Sequence, residues 1–189
     1  NLSNNINLFV NVFMTTGADY QMAVITTSDP QVSNIITSAD PNPAAALSQK
    51  VMVGTQGSGM ERGLEMSYLA LSSASSAGPG SLFFRQDSTL VVIYVSDEPD
   101  HSYASWNSFT SFFDQLKPAG YFIPFGIIGD PPSGCNGGGW QGAMYGAGYF
   151  ELIKHYGGSW YSICETDWGT QLQSLGNQVV TQSRFTLSE

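Results

Sequence analysis

Residues 90–100 constrain the fold of this chain more than any other segment. Six apolar residues, 90–95, run without interruption, which is typical of a strand buried on both faces of a parallel sheet. Pro99 then stops the strand, and the carboxylates of Asp97, Glu98 and Asp100 cluster where it ends. Ligands of open α/β sheets bind just beyond the carboxyl ends of central strands. The segment therefore predicts either a site for a hard cation, which prefers oxygen ligands, or a solvated acidic turn.

The rest of the chain alternates between helical and strand patterns, which indicates an α/β fold with a parallel sheet covered on both faces. The periodicity of apolar residues predicts helices over residues 3–15, 61–71, 103–116, 141–156 and 167–181. Strands are predicted over residues 20–27, 32–37, 89–95, 121–128, 160–164 and 185–187. Residues 38–50 are expected to form a connecting loop, with or without one helical turn, and Pro124 requires a bulge or a local sheet edge within its strand. A length of 189 residues fits a single domain spanning residues 1–189.

Charge limits the classes of partner. Fifteen acidic residues against six basic ones give a net charge of −9, which disfavours binding to nucleic acid or to anionic lipid through a basic patch. The same balance suits a cation site or a basic partner. No apolar run reaches the eighteen or so residues that a membrane-spanning helix needs, so no such segment is expected.

Two cysteines, Cys135 and Cys164, lie 29 positions apart. Neither belongs to a Cys-x-x-Cys motif or has a histidine at ligand spacing, so a zinc site is not expected. From the residues alone, the pair is either a disulfide formed in an oxidising compartment or two free thiols in the core.

No pattern in the chain indicates catalysis. Ser102 adjoins His101, but sequence neighbours on a turn do not form a catalytic triad. Ser58 lies between two glycines without the spacing of a nucleophile elbow, and residues 137–139 lack the ending of a phosphate-binding loop. His101 and His155 are expected at or near the surface. We therefore predict that the protein is not an enzyme.

Four segments, in order, resemble parts of the von Willebrand factor type A domain, especially its members in secreted or surface bacterial proteins. The first, residues 54–65 (GTQGSGMERGLE), resembles the loop and helix start of that domain, and residues 84–100 resemble its central strand on the metal side. The remaining two segments are residues 129–135 and residues 163–175. The resemblance implies a doubly wound, mostly parallel sheet, and its segments together cover most of residues 18–188.

The resemblance also implies a metal-ion-dependent adhesion site, built from an Asp-x-Ser-x-Ser motif, a middle Thr or Ser, and a later Asp. By motif, the later Asp is Asp97, and the middle ligand is Thr55 or Ser58. Ser96, Glu98 and Asp100 would be neighbours of the site. Mg²⁺, or Ca²⁺ or Mn²⁺ in its place, would capture an exposed carboxylate of a protein partner. The implied location is extracellular, at the cell surface or periplasmic, and this favours a disulfide between the two cysteines.

The Asp-x-Ser-x-Ser motif does not occur in the 189 residues. The resemblance places that motif, with the first central strand, before the helix at residues 3–15, so the chain looks incomplete at its N-terminus. A sheet without this strand would leave two rows of backbone groups unpaired, each costing about 1–3 kcal/mol. We therefore expect an upstream segment or another chain to supply the strand. If the motif is instead lost, the alternative function is a structural subunit of a bacterial surface appendage or assembly, with a non-functional metal site.

Overall fold

The structure, a computed structural model, describes residues 2–54, 57–72, 77–136 and 142–186. Helices and strands alternate along these residues, as the sequence predicts for an α/β fold. In chain order they are α1 (Leu2–Thr16), β1 (Gln21–Met22), β2 (Ile36–Thr37), α2 (Pro43–Lys50), α3 (Gly63–Leu71), β3 (Leu90–Ser96), α4 (Trp106–Leu116), β4 (Phe122–Ile128), α5 (Tyr149–His155), β5 (Trp160–Ser162) and α6 (Trp168–Thr186).

The strands form two separate sheets. β3, β4 and β5 make a three-stranded parallel sheet with β4 in the middle, and β1 pairs with β2 in a small antiparallel sheet. Ser96 lies opposite Ile128, so β3 and β4 end at the same edge of the larger sheet. This arrangement confirms a mixed α/β architecture with a parallel sheet.

Helices pack on both faces of the larger sheet. Odd-numbered residues of β4 join an apolar cluster that includes side chains of α1 and α6. Even-numbered residues of β3 and β4, such as Tyr94 and Phe122, join a second cluster with side chains of α3, α4 and α5. Because successive side chains of a strand point to opposite faces, a strand covered on both faces must be apolar throughout. The uninterrupted apolar runs of β3 and β4 meet this requirement.

Pro124 is accommodated by a local edge, one of the two solutions that the sequence allows. The Gly126 amide donates to the Ser159 carbonyl (3.2 Å), so the even-numbered backbone groups of β4 face β5. Pairing with β5 begins only at Gly126, opposite Trp160. The missing N–H of Pro124 therefore faces a side on which β4 has no paired strand at that level.

Several predicted boundaries are wrong, for identifiable reasons. In residues 38–50 the helix α2 has eight residues, which is longer than the single turn allowed for. The Asn42 side chain accepts from the Ala45 amide (3.2 Å) at its start, and Pro43 occupies its first turn. A helix is expected over residues 141–156, but α5 covers only Tyr149–His155 of that range. Gly148 precedes it with a φ of 87°, a left-handed conformation that interrupts a helix. Residues 185–186 belong to α6 rather than to a strand, and residue 187 lies outside the described residues.

The predicted strands at residues 20–27 and 32–37 are mostly unpaired. Only Gln21 and Met22 pair with Thr37 and Ile36. The remaining residues of both segments have no neighbouring strand among the residues described, so the ladder that defines a strand does not form.

Candidate functional site

The acidic segment after β3 lies at the carboxyl edge of the parallel sheet, as the sequence predicts. Backbone bonds fasten it to the segment before α5. The Met144 amide donates to the Asp97 carbonyl (2.9 Å), and the Asp100 amide donates to the Ala147 carbonyl (2.9 Å). The backbone of residues 97–100 is thereby fixed, and each of its carboxylates has a different environment.

Asp100 caps helix α3. Its Oδ1 accepts from the Leu64 amide (3.1 Å) and from the Ser102 hydroxyl (2.9 Å). The Ser102 hydroxyl in turn accepts from the Glu65 amide (2.9 Å), and the hydroxyl of Tyr149 accepts from the Gly63 amide (2.9 Å). Side chains from two other elements therefore satisfy three amides that a helix start leaves unpaired. Burial raises the pKa of Asp100, while the hydrogen bonds from Ser102 and Leu64 oppose this rise.

Glu61 is a further carboxylate at this edge that the sequence reasoning did not single out. It lies just before α3, and its Oε2 is in close contact with the hydroxyl of Ser96, a residue only 3% exposed. Burial raises the pKa of Glu61, the bond from Ser96 lowers it, and Asp97 and Glu98 raise it further. No sequence signal marked Glu61, because its contact with Ser96 joins residues 35 positions apart.

Glu98 and His101 form a loose pair. Their Oε2 and Nε2 atoms lie 3.8 Å apart, and the His101 amide donates to the Glu61 carbonyl (2.7 Å). His101 is half-buried, and His155 lies exposed on α5, with its ring near Trp106. The two histidines therefore occupy the surface or near-surface positions that the sequence predicts.

The carboxylate of Asp97 differs from its neighbours at this edge because it has no polar partner among the described residues. Its side chain is exposed, and within the described part of the chain no hydrogen bond or ion pair reaches it. By contrast, Glu61, Glu98 and Asp100 each have a polar side-chain partner. Asp97 is therefore the carboxylate that remains available to an incoming ligand.

The two candidates for the middle ligand differ in what the structure shows of them. Thr55 lies outside the described residues. The hydroxyl of Ser58 accepts from the Met60 amide (3.1 Å), and its own amide donates to the Ser28 hydroxyl (3.1 Å). Ser58 thus stabilises a turn ahead of α3, and its hydroxyl keeps a second lone pair.

The donor set of the described residues is too small for a complete metal site. No three His, Cys, Asp or Glu side chains among residues 2–54, 57–72, 77–136 and 142–186 are placed to hold a metal ion. Mg²⁺ requires near-octahedral oxygen coordination, and here one free carboxylate and one hydroxyl are the candidates that the structure describes. These residues fit part of a site, and further ligands would have to come from elsewhere.

Cys135 and Cys164 form a disulfide, as the family resemblance implied. The bond ties the loop after β4 to the segment before α6. Closing a loop of this length contributes about 3–4 kcal/mol in the chain-entropy description of disulfides. Disulfides are typical of oxidising compartments, which is consistent with an extracellular or periplasmic location. No helix among the residues described is long and apolar enough to cross a membrane.

Comparison with protein-family models, with curated proteins and with solved structures found no match to this chain. The resemblance to the von Willebrand factor type A domain therefore stays a prediction.

Proposed function

We propose that this chain is a protein-binding module of the adhesion type, with the doubly wound fold of a von Willebrand factor type A-like domain. In this proposal Asp97 and either Thr55 or Ser58 bind a divalent cation, Mg²⁺ or alternatively Ca²⁺ or Mn²⁺. The cation keeps one coordination position for a carboxylate of the partner protein. The module needs no catalytic residue, and it acts outside the cell, at its surface or in the periplasm.

The proposal rests on one observation, the exposure of the Asp97 carboxylate and its lack of a polar partner among the described residues. Neighbouring carboxylates are engaged by a serine, a histidine and a helix start, whereas Asp97 is exposed and unengaged by described residues. Asp97 follows the carboxyl end of the parallel strand β3, with its backbone fixed by Met144, and ligands of α/β sheets bind at that edge of the sheet.

The local charge supports a cation. Glu61, Asp97 and Glu98 lie close enough for the latter two to raise the pKa of Glu61. A divalent cation among these carboxylates would reduce their mutual repulsion. The proposal also requires further oxygen ligands, which an Asp-x-Ser-x-Ser segment would provide, because the described residues do not complete the coordination shell.

The test is the effect of Mg²⁺ on the thermal stability of the full-length natural protein. A cation that binds only the folded state must raise the unfolding temperature, and chelation must reverse the rise. Asp97→Asn should remove most of this response, because the neutral amide is a weaker cation ligand than the carboxylate.

Asp87→Asn is the matched control, since it makes the same change of charge at an exposed position near the other end of the same strand. It should leave the Mg²⁺ response intact. The proposal is wrong if Mg²⁺ has no effect on the full-length protein, or if both variants respond as the unmodified protein does.

A structural subunit of a bacterial surface appendage or assembly is the second candidate. One observation favours it: among the residues that the structure describes, β3 is paired only with β4, and an unpaired strand edge suits assembly through strand addition. This candidate predicts assembly that continues unchanged after chelation and in Asp97→Asn, which distinguishes it from cation-dependent adhesion.

A further inference from the structure

The segment that fixes the backbone of Asp97 spans the carboxyl edge of the sheet. We name residues 143–147 the strap. Within it, the Met144 amide donates to the Asp97 carbonyl just after β3 (2.9 Å), and the Gly146 amide donates to the Gly129 carbonyl just after β4 (3.1 Å). The strap therefore connects the ends of the two long strands.

The strap is also bonded to Cys135. The Cys135 amide donates to the Ala143 carbonyl (2.9 Å), and the two residues form an antiparallel bridge. The carbonyl of Ala143 and the amide of Met144 belong to one peptide group, which is planar and rigid. A single peptide group thus accepts from Cys135 on one side and donates to Asp97 on the other.

Glycines allow the strap to lie directly against the backbone of the loop after β4. A Cβ added at Gly129 would lie 1.8 Å from the Met144 carbonyl oxygen, and one added at Gly134 would lie 2.2 Å from the Ala143 carbonyl oxygen. No side chain separates the two segments at these positions. Because close-packed groups transmit displacements, a movement of the loop moves the strap.

The disulfide holds this loop to the sheet. Cys135 is bonded to Cys164, which follows β5. The residue before Cys164, Ile163, donates its amide to the Ile128 carbonyl at the end of β4 (2.9 Å), so the Cys164 side of the bond is fixed to the sheet. The disulfide therefore positions Cys135, and through the Ala143–Met144 peptide group it positions the backbone of Asp97.

The disulfide lies within reach of a thiol in solution. Cys135 and Cys164 are both partly exposed. An open cleft of about 320 Å³, lined by residues 133–136 and 142–144, borders Cys135 and the start of the strap. Thiol–disulfide exchange requires access of the attacking thiolate to a sulfur atom, and the partial exposure of both cysteines provides it.

We propose that the Cys135–Cys164 disulfide is a redox switch for the cation site at Asp97, operated by a dithiol reductant. A thiolate of the reductant attacks the sulfur of Cys135, and Cys164 leaves as a thiolate that takes up a proton. The second thiol of the reductant then attacks the mixed disulfide, which releases Cys135 as a thiol and leaves the reductant oxidised to a disulfide.

Reduction frees the loop, so the Ala143–Met144 peptide group is no longer held in place and Asp97 binds the cation more weakly. The weaker cation binding rests on the proposed function, whereas the release of the strap does not.

Access to the disulfide is the first test. Treatment of the folded protein with dithiothreitol, a small dithiol, should produce two titratable thiols without unfolding the chain. Thiols that appear only after denaturation would overturn the proposal, because a bond that no reductant reaches in the folded state is not a switch.

Amide hydrogen exchange tests the release of the strap. In the reduced protein, and in the double variant Cys135→Ser with Cys164→Ser, the amides of Cys135 and Met144 should exchange about tenfold faster than in the oxidised protein, through local opening. Lys117→Met is the control, because it lowers overall stability without touching the loop or the strap. Unchanged exchange on reduction, or equal acceleration in Lys117→Met, would refute the coupling.

Mg²⁺ titration of the full-length natural protein tests the effect on the site. Reduction should raise the Kd for Mg²⁺ about tenfold, within the range typical of coupled sites, and reoxidation should restore it. Equal Kd values in the two redox states would overturn the switch. An oxidised protein that binds no Mg²⁺ would contradict the proposed function instead, and the exchange experiment then decides separately whether the disulfide holds the strap.

Discussion

The carboxylates that cluster after β3 have separate roles, although they look alike in the sequence. Asp100 accepts from the hydroxyl of Ser102, two residues along the chain, and from the amide of the distant Leu64. Asp97 remains exposed and available. The difference depends on Leu64 and Met144, which lie far from residues 97–100 in the sequence and become neighbours only on folding.

Lys117 shows the same dependence on distant residues. It is only 3% exposed, and its Nζ donates to the carbonyls of Arg85, Gln86 (3.0 Å) and Ser88 (2.7 Å). One cation thereby holds the turn ahead of β3 together. A charged lysine is rarely buried unless its donors are satisfied in this way.

Lys117→Met should therefore lower the free energy of unfolding by about 2–4 kcal/mol, because three buried carbonyls lose a charged donor. Urea denaturation would measure the change. Lys154→Met is the control, since Lys154 is exposed on α5, and it should change stability by less than about 0.5 kcal/mol. Equal effects of the two substitutions would contradict the structural role of Lys117.

At the scale of elements, apolar periodicity located every described helix except α2, together with the two long strands of the sheet, but not their ends. α1, α4 and β4 match the predicted ranges within a few residues. α5 is shorter than predicted because Gly148, ahead of it, has a φ of 87° and packs on Asp100, where an added Cβ would lie 2.9 Å from the Asp100 Cβ. Contacts of that kind are set by neighbouring elements, so periodicity within one segment does not reveal them.

Helix α3 depends on other elements for its start. Its N-cap residue, Arg62, makes no side-chain capping bond, and Tyr149, Asp100 and Ser102 supply the acceptors instead. Docking of α5 and of the segment after β3 is thus coupled to the formation of α3.

Tyr149→Phe should destabilise the fold by about 1–3 kcal/mol, because it leaves the Gly63 amide without its acceptor in a buried position. Tyr149 is fully buried (0% exposed), and the ring itself is retained in this variant. Tyr103→Phe removes a hydroxyl from a residue that is 88% exposed and should have almost no effect. Thermal unfolding of both variants would decide whether the capping bond matters.

At the scale of the whole molecule, buried carboxylates at the carboxyl edge make stability depend on pH. Burial raises the pKa of Glu61 and of Asp100 above the values of 4.5 and 3.8 that apply without the fold. For each group, the folded state binds more protons than the unfolded state at pH values between its unfolded pKa and its raised folded pKa. The free energy of unfolding therefore falls as pH rises through that window. Hydrogen bonds lower the pKa of Asp40 and Asp167, and their contributions are lost as pH falls below about 3.8.

Unfolding free energy should therefore decline as pH rises above about 4.5. Glu61→Gln combined with Asp100→Asn should make that decline shallower, because the two amides do not titrate. Denaturation by urea at several pH values would measure the slope, with Glu165→Gln, an exposed position, as the control for loss of charge. An unchanged slope in the double variant would show that these carboxylates do not set the dependence.

The sequence by itself determined the α/β class, the two long strands of the parallel sheet and the position of the acidic segment after β3. These follow from local periodicity, from turn chemistry and from the apolar demand of a strand covered on two faces. Only the tertiary structure decided which carboxylate stays exposed and that Glu61 joins the edge. Each of these depends on contacts between residues distant in the chain, and such contacts leave no periodic signal in the sequence.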